Sequence, residues 1–264
     1  MGIKAGHGGA AAAAMAGAAG ARVDGRAAAQ LRALGARCGV LSRSDGSCRF
    51  ALGETVCIAS VFGPTELTVA RKELADRASI AVTYYSGSRR EEGEGEGAAG
   101  EAQRDVESEA LLAGLLEQVV LTRLHPRKVI KVSLQVVQDC GSAQACALLA
   151  ASGALLDAGV ELAGAASAAC VALSAQGAVL VDPSKQEEEA AVARVLVCTR
   201  DDDGRLLAVI TSGPLERAVL KDCLASAVAA AAACRSFLRV SWKETITRRM
   251  ALQTPGTSTT LPAT

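Results

Sequence analysis

The stretch Lys131–Gly159 reads KVSLQVVQDCGSAQACALLAASGALLDAG, and the order of its residue types decides the fold. Residues 132–137 alternate in the way that predicts a β-strand. Residues 139–142 predict a sharp turn, and the Ala- and Leu-rich run after them predicts a helix that ends at Gly159. A helix that starts from a Gly-Ser turn presents unpaired backbone N–H groups and the positive end of its dipole. The stretch therefore predicts a site for an anion at the helix start.

Turn-rich and alternating segments flank this stretch on both sides. They predict a hairpin over 39–50, with Ser-Asp-Gly at its turn, and strands over 55–62, 78–85, 166–173, 178–181, 193–199 and 206–212. Helices are predicted through 30–34, over 102–121 and over 216–243. The inward face predicted for 102–121 consists of Val106, Leu111, Leu112, Leu115, Leu116 and Val119. Hairpins and helices that share one core predict an α+β domain.

Composition at the two ends differs from that of the middle of the chain. Residues 1–21 are rich in Ala and Gly and are predicted to be disordered, whereas 22–245 are predicted to form one domain. Within it, the Gly- and Glu-rich segment 86–100 is predicted to be a mobile surface loop. Residues 246–264 are predicted to be a flexible tail.

Charge and cysteine content limit the classes of function. The 264 residues include 28 Lys and Arg and 28 Asp and Glu, and this neutral balance argues against strong autonomous binding of nucleic acid. Nine cysteines and two histidines, without a CxxC pair, build neither a zinc site nor a disulfide framework. We therefore expect no metal site and buried, reduced thiols.

Hydropathy predicts no membrane segment. No window offers the run of about 18 to 20 strongly apolar residues that a spanning helix needs. The Ala tract at 225–233 has side chains that are too small, and charged residues flank it closely. We expect a soluble, intracellular protein.

Three segments carry a resemblance to a known family. They are GVLSRSDGSCRFALGETVCIASVFGP at 39–64, LHPRKVIKVSLQVVQDCGSAQA at 124–145 and VLVDPSKQEEEA at 179–190. Together they resemble the RNase PH family, and within it the ring subunits of the eukaryotic RNA exosome. The resemblance covers residues 36–242. It implies an RNase PH-like (ribosomal protein S5 domain 2-like) sandwich of mixed β-sheets and helices, which pairs and closes into a six-membered ring.

The resemblance also implies a phosphate site at the turn before the helix. Active members degrade RNA from its 3′ end with phosphate as the attacking group, and a Gly-Gly-Thr-Arg turn holds that phosphate. The aligned residues here are Cys140, Gly141, Ser142 and Ala143. The Ser142 hydroxyl and the Gly141–Ala143 amides remain, with Gln144 beside them, but the arginine is missing. Loss of one charge-assisted hydrogen bond costs about 1.5–3 kcal/mol, so this phosphate site is predicted to be degenerate, or to serve only as a helix cap.

A pair of acidic residues is the second feature that the resemblance implies. Active relatives carry two of them six residues apart, and the spacing falls on Asp182 and Glu188, or on Glu187 in a shifted register. These are the candidate catalytic residues. The alternative is structural, because Asp-Pro opens turns and acidic residues are favoured in the first turn of a helix.

Contacts to RNA are the third feature. The arginines that grip RNA in active relatives align with Ala110, Ala113 and Gly114. Arg89 and Arg90 are candidate RNA contacts at the mouth of the ring. Acidic residues follow them directly, so the alternative is a solvated loop.

Two functional hypotheses follow from the resemblance. The first is a non-catalytic ring subunit of the RNA exosome that supports 3′-to-5′ RNA processing and degradation, including ribosomal RNA maturation. Its partners would be other RNase PH-like ring subunits, cap subunits and single-stranded RNA in the assembled complex, with a homodimer when it is alone. The second is an active 3′-to-5′ exoribonuclease, phosphorolytic with inorganic phosphate or hydrolytic with Mg²⁺. An interaction protein unrelated to RNA is a third interpretation. The resemblance implies a location in the nucleus, the nucleolus and the cytoplasm.

Overall fold

A computed structural model of the protein describes residues 22, 24–66, 74–86, 96–200 and 205–253, with backbone only for 96–102 and 252–253. The predicted disordered segment 1–21, the candidate RNA contacts Arg89 and Arg90, and the end of the predicted tail, 254–264, lie outside these residues.

The first sheet has five strands in the spatial order β1-β2-β3-β5-β4. Their bounds are β1 (Leu34–Cys38), β2 (Gly46–Leu52), β3 (Thr55–Glu66), β4 (Ser79–Tyr85) and β5 (Lys128–Gln138). Neighbouring strands are antiparallel except for β4 and β5, which run parallel. The predicted alternation is confirmed in β5, where Val132, Leu134 and Val136 are buried and the residues between them are less so.

The second sheet has four antiparallel strands in the order β7-β6-β8-β9. Their bounds are β6 (Ala166–Leu173), β7 (Val179–Val181), β8 (Ala193–Arg200) and β9 (Leu206–Ser212). The predicted strands over 166–173 and 206–212 are confirmed with the same limits. Strand β6 is buried on both faces, because it lies between helices.

Four α-helices complete the described structure, together with one 3₁₀ turn at Thr122–Leu124. They are α1 (Glu96–Val119), α2 (Ala143–Asp157), α3 (Lys185–Glu189) and α4 (Arg217–Gln253). Helix α2 packs against β2 and β3 on one side and β6 on the other, and every residue from Ala145 to Leu155 is buried. Its small side chains allow close packing between two sheets. The predicted α+β fold is confirmed.

Two hydrophobic clusters form the core. The first joins the first sheet, α2 and one face of the second sheet, and includes Cys234 and Leu238 of α4. The second lies between the other face of the second sheet and α4, and it includes the fully buried Cys223 and Ala227 of α4. Helix α4 therefore contributes to both clusters.

Helix α4 is long and apolar enough to cross a membrane by length and composition alone, which the sequence analysis did not anticipate. Its small apolar residues Cys223, Ala227, Ala231 and Cys234 are buried against the protein core. The core helix of a globular protein has these same properties.

The structure contradicts several local predictions. Residues 24–33 contain no helix, and β1 lies where the helix through 30–34 was expected to end, because pairing of Leu34–Cys38 with β2 overrides the helix preference of Leu, Arg and Ala. Strand β3 continues past Gly63, where a stop was predicted, to Glu66.

Parts of the predicted loop 86–100 and of the predicted tail 246–264 are helical. Helix α1 begins at Glu96, so residues 96–100 of the predicted loop 86–100 are helical, and α4 continues through 246–253 of the predicted tail. The inward face predicted for α1 is confirmed at Leu112, Leu115, Leu116 and Val119, which are buried. The prediction was wrong for Val106, which is 56% exposed.

Candidate functional site

The turn between β5 and α2 lies where the sequence predicted a turn, and two consecutive residues in it have positive φ angles. Gly141 has φ +101°, and a Cβ there would lie 2.5 Å from the Pro183 carbonyl oxygen, so only glycine fits. Ser142 adopts a left-handed conformation with φ 58° at the start of α2. This turn packs directly against the segment that carries the acidic residues.

The amides of the turn already donate to groups of the protein. The Cys140 N–H donates to the Thr55 hydroxyl at 3.2 Å, and the Gly141 N–H donates to Asp139 at 3.1 Å. The Ser142 N–H donates to Oε1 of Glu188 at 2.8 Å. The anion at the start of α2 is therefore a carboxylate of the same chain.

The Ser142 hydroxyl is committed as well. It donates to the Pro183 carbonyl at 3.3 Å, and the residue is only 3% exposed. Neither of the Ser142 donors that were predicted to bind phosphate is available to a ligand in this arrangement.

Burial raises the pKa of Glu188, whereas the Ser142 N–H and the charge of Arg194 act in the opposite direction. The nearest Arg194 nitrogen is 3.9 Å from Oε2 of Glu188, and the Cys170 thiol lies 3.7 Å from Oε1. The charge of this carboxylate is thus only partly compensated by its surroundings.

Asp182 is 2% exposed and is held by Arg32. The Arg32 guanidinium donates to both carboxylate oxygens, at 2.9 Å and 2.6 Å, and the Arg32 backbone N–H donates at 3.0 Å. Burial by itself raises the pKa of Asp182, but the hydrogen bonds and charge of Arg32 outweigh it and hold the pKa below its ordinary value. Asp182 is an ionised, fully partnered carboxylate.

The remaining Arg32 donors hold the turn in place. They reach the Thr55 hydroxyl and the carbonyls of Cys140 and Gly141, each at 3.0 Å. Every N–H direction of this guanidinium is therefore used, and Arg32 joins Asp182 to the turn as a structural element.

Glu187, the alternative acidic residue, is also structural. Arg22 donates to its two oxygens at 2.8 Å and 2.6 Å. Glu187 also completes a capping box with Ser184 at the start of α3. The shifted register therefore brings no unpartnered carboxylate to the turn.

The structure brings four of the predicted site residues together: Gly141, Ser142, Asp182 and Glu188. Gln144 is not part of this cluster through its side chain, which donates to the Ser108 hydroxyl of α1 at 3.0 Å. Lys185, a cation near the turn, pairs with Asp139 at 2.6 Å.

Sequence reasoning missed Arg22, Arg26 and Arg32 as partners of the acidic segment. The backbone carbonyl of Asp182 accepts from Arg22 at 3.0 Å and from Arg26 at 3.2 Å. The available signal was indirect: a carboxylate in an apolar segment needs a cation, and three arginines lie between residues 22 and 32.

Comparison with known proteins identifies the family. Residues 30–161 match the family model described as 3′ exoribonuclease family, domain 1. The exosome complex component Rrp41 of Methanopyrus kandleri is 32% identical over 200 residues, which cover 74% of this chain and 81% of the relative. The exosome complex exonuclease RRP46 homolog of Arabidopsis thaliana is 33% identical over 168 residues, 64% of this chain and 66% of the relative.

The crystal structure of rice (Oryza sativa) Rrp46 is similar in three dimensions. It superposes with a TM-score of 0.75 at 30% identity and covers 84% of this chain and 100% of the rice chain. From the sequence match, the shared architecture and the turn at the start of α2, we conclude that this protein belongs to the RNase PH family.

Proposed function

We propose that this protein is a non-catalytic ring subunit of an RNA exosome. Its partners would be other RNase PH-like ring subunits, cap subunits and single-stranded RNA that passes through the assembled complex. Support for membership of an exosome comes from the similarity to the archaeal protein named exosome complex component Rrp41 and the plant protein named exosome complex exonuclease RRP46 homolog. The proposed role is in 3′-to-5′ RNA processing and degradation, including ribosomal RNA maturation.

The observation that carries the proposal is the hydrogen bond from the Ser142 N–H to the Glu188 carboxylate. A phosphate bound at the start of α2 would have to displace this carboxylate or approach its negative charge. Position 143 is alanine, so no arginine of the turn offsets that repulsion. Phosphorolysis needs a bound phosphate that is held in line with the RNA end. The Glu188 carboxylate at the start of α2 opposes the binding of that phosphate.

Asp182 adds an independent argument against hydrolysis. To bind a metal ion or take up a proton, this carboxylate would have to release Arg32. Removal of one partner from a buried ion pair costs about 3–5 kcal/mol, because the other charge is left uncompensated. A catalytic role would therefore work against the fold.

The test uses the purified full chain with 5′-labelled single-stranded RNA, with and without phosphate and with and without Mg²⁺. We expect no shortening in any condition. An active phosphorolytic member of the family serves as the positive control. Shortening that is lost in both Ser142→Ala and Glu188→Gln, two variants that retain the Arg32–Asp182 pair, would overturn the proposal. Shortening that survives both changes and stays with the protein through repurification would also overturn the proposal, whereas shortening that repurification removes comes from a contaminating nuclease.

Assembly is tested separately in cell extract. A ring subunit should elute in a large complex under native conditions and should localise to the nucleus and nucleolus, with a cytoplasmic pool. Elution as a monomer at native concentration would contradict the ring-subunit proposal, whatever the outcome of the nuclease assay.

A further inference from the structure

Two cysteines face each other across the hairpin of β1 and β2. The strand register places Cys38 directly opposite Cys48. The next pair is hydrogen-bonded, since the Gly39 N–H donates to the Ser47 carbonyl at 2.8 Å. Pairs alternate in an antiparallel ladder, so Cys38 and Cys48 form a non-hydrogen-bonded pair, in which Cα atoms are about 4.5 Å apart and side chains are closest. Disulfides span Cα distances of about 4.4–6.8 Å.

The two thiols differ in access and in acidity. Cys48 is fully buried, whereas Cys38 is partly exposed. A hydrogen bond from its neighbour lowers the pKa of the Cys38 thiol, and the same interaction together with burial raises the pKa of Cys48. Cys38 is therefore the nucleophile that an outside reagent reaches, and Cys48 is the resolving thiol.

The packing around Cys48 leaves room for its sulfur. Gly153 of α2 faces it, and a Cβ at that position would lie only 2.6 Å from the Cys48 sulfur. The described strands contain no second pair of opposed cysteines. Cys57 faces Val136, Cys170 faces Leu196, and Cys198 faces Ala168 and Ala208.

We propose that Cys38 and Cys48 form a reversible dithiol–disulfide site that reacts with small-molecule disulfides such as oxidised glutathione. The Cys38 thiolate attacks the glutathione disulfide, forms a mixed disulfide and releases one glutathione thiolate, which takes up a proton. The Cys48 sulfur then attacks the Cys38 sulfur, and the second glutathione leaves with the Cys48 proton. Two protein thiols are oxidised and one glutathione disulfide is reduced to two thiols.

The bond would fasten the edge strand β1 to β2. Asp157, at the end of α2, already accepts from the Gly39 and Ser47 N–H groups at 3.1 and 2.9 Å, so the ends of the loop between the strands are held in place. The disulfide closes this short loop in the unfolded chain and thereby stabilises the native state.

Peptide mapping tests the proposal directly. Trypsin cuts after Arg37, Arg43 and Arg49, so the oxidised protein should yield the hexapeptides CGVLSR and SDGSCR joined by a disulfide. Reduction with dithiothreitol should separate them. We expect oxidised glutathione to raise the thermal midpoint of the full chain by about 5 °C, reversibly.

Variants assign each step. In Cys48→Ser the reaction should stop at the mixed disulfide and leave glutathione on Cys38. Cys38→Ser should give neither glutathione attached to the two hexapeptides nor a disulfide between them. Cys140→Ser, which removes another partly exposed thiol, should leave the linked hexapeptides unchanged. Wild-type protein that carries glutathione on Cys38 without linked peptides, or that reacts elsewhere while Cys38 stays free, would overturn the proposal. None of these readouts depends on nuclease activity.

Discussion

The Ser142 N–H and the Glu188 carboxylate are joined by a 2.8 Å hydrogen bond across 46 residues of sequence. The bond places an internal negative charge at the positive end of α2, the position where the family resemblance implies phosphate. The helix dipole and the carboxylate attract each other, so Glu188 occupies the anion position at the helix start that a ligand would otherwise take.

Glu188→Gln should change the pH dependence of stability. The folded-state pKa of Glu188 is raised above its ordinary value of 4.5, so its ionisation costs stability as the pH rises through that value to the folded pKa. Glutamine carries no such cost. The free energy of unfolding of the variant, relative to wild type, should therefore rise from about pH 4 to pH 7. Urea unfolding at both pH values measures it, and a difference that is independent of pH would contradict the prediction.

Phosphate should not stabilise the wild-type protein. A ligand that binds only the native state raises the unfolding free energy according to its concentration relative to Kd. With Glu188 at the start of α2, millimolar phosphate should leave the thermal midpoint where an equal ionic strength of chloride leaves it. A rise specific to phosphate that Ser142→Ala abolishes would show that the turn still binds the anion.

Asp182→Asn should destabilise the protein by about 3–5 kcal/mol at neutral pH, because Arg32 would remain as a buried, uncompensated charge. Asp139→Asn is a matched control, since Asp139 pairs with the half-exposed Lys185 and its loss should cost less than about 1 kcal/mol. Urea unfolding compares the two. Equal losses of unfolding free energy in the two variants would show that the Arg32–Asp182 pair stabilises the protein no more than the Lys185–Asp139 pair does.

The stability of Asp182→Asn relative to wild type should also depend on pH. Because Arg32 holds the pKa of Asp182 below its ordinary value of 3.8, the wild-type advantage is fully present above that value. It should be lost as the pH falls through the lowered folded pKa. An advantage that disappears already between about pH 7 and pH 5 would assign the effect to another group.

Gly141→Ala should be among the most damaging small substitutions. The new Cβ would lie 2.5 to 2.7 Å from backbone atoms of residues 183–185, at a φ of +101°. Gly159→Ala is the control, because Gly159 also has a positive φ, +69°, but nothing lies within 4 Å of the added carbon. We expect about 1–2 kcal/mol for Gly159→Ala and clearly more for Gly141→Ala, measured by urea unfolding.

The sequence pattern predicted correctly those elements that depend on residues close together in the chain. The β5–turn–α2 unit and the strands over 166–173 and 206–212 follow from alternation and turn residues within a few positions. Strand β1 was missed because its pairing with β2, not its own composition, makes it a strand. Val106 was misplaced because it precedes Leu115 by nine residues, which at 3.6 residues per turn puts it on the opposite face of the helix.

The candidate site was predictable only in part, for a similar reason. Its backbone, Gly141 and Ser142, is encoded by consecutive residues. Its electrostatics depend on Arg32, which meets Asp182 across 150 residues, and on Arg22, which meets Glu187 across 165. Spacing in one sequence carries no information on which arginine reaches which carboxylate.

Helix α4 spans 37 residues, a length of about 55 Å. Cys223 and Ala227 belong to one hydrophobic cluster, and Cys234 and Leu238 belong to the other. Because one continuous helix packs into both clusters, neither cluster can unfold without disturbing the other. The chain should therefore unfold in one cooperative transition. A fragment cut after residue 161, where the family match ends, would lose this helix and would leave Arg32 without its carboxylate.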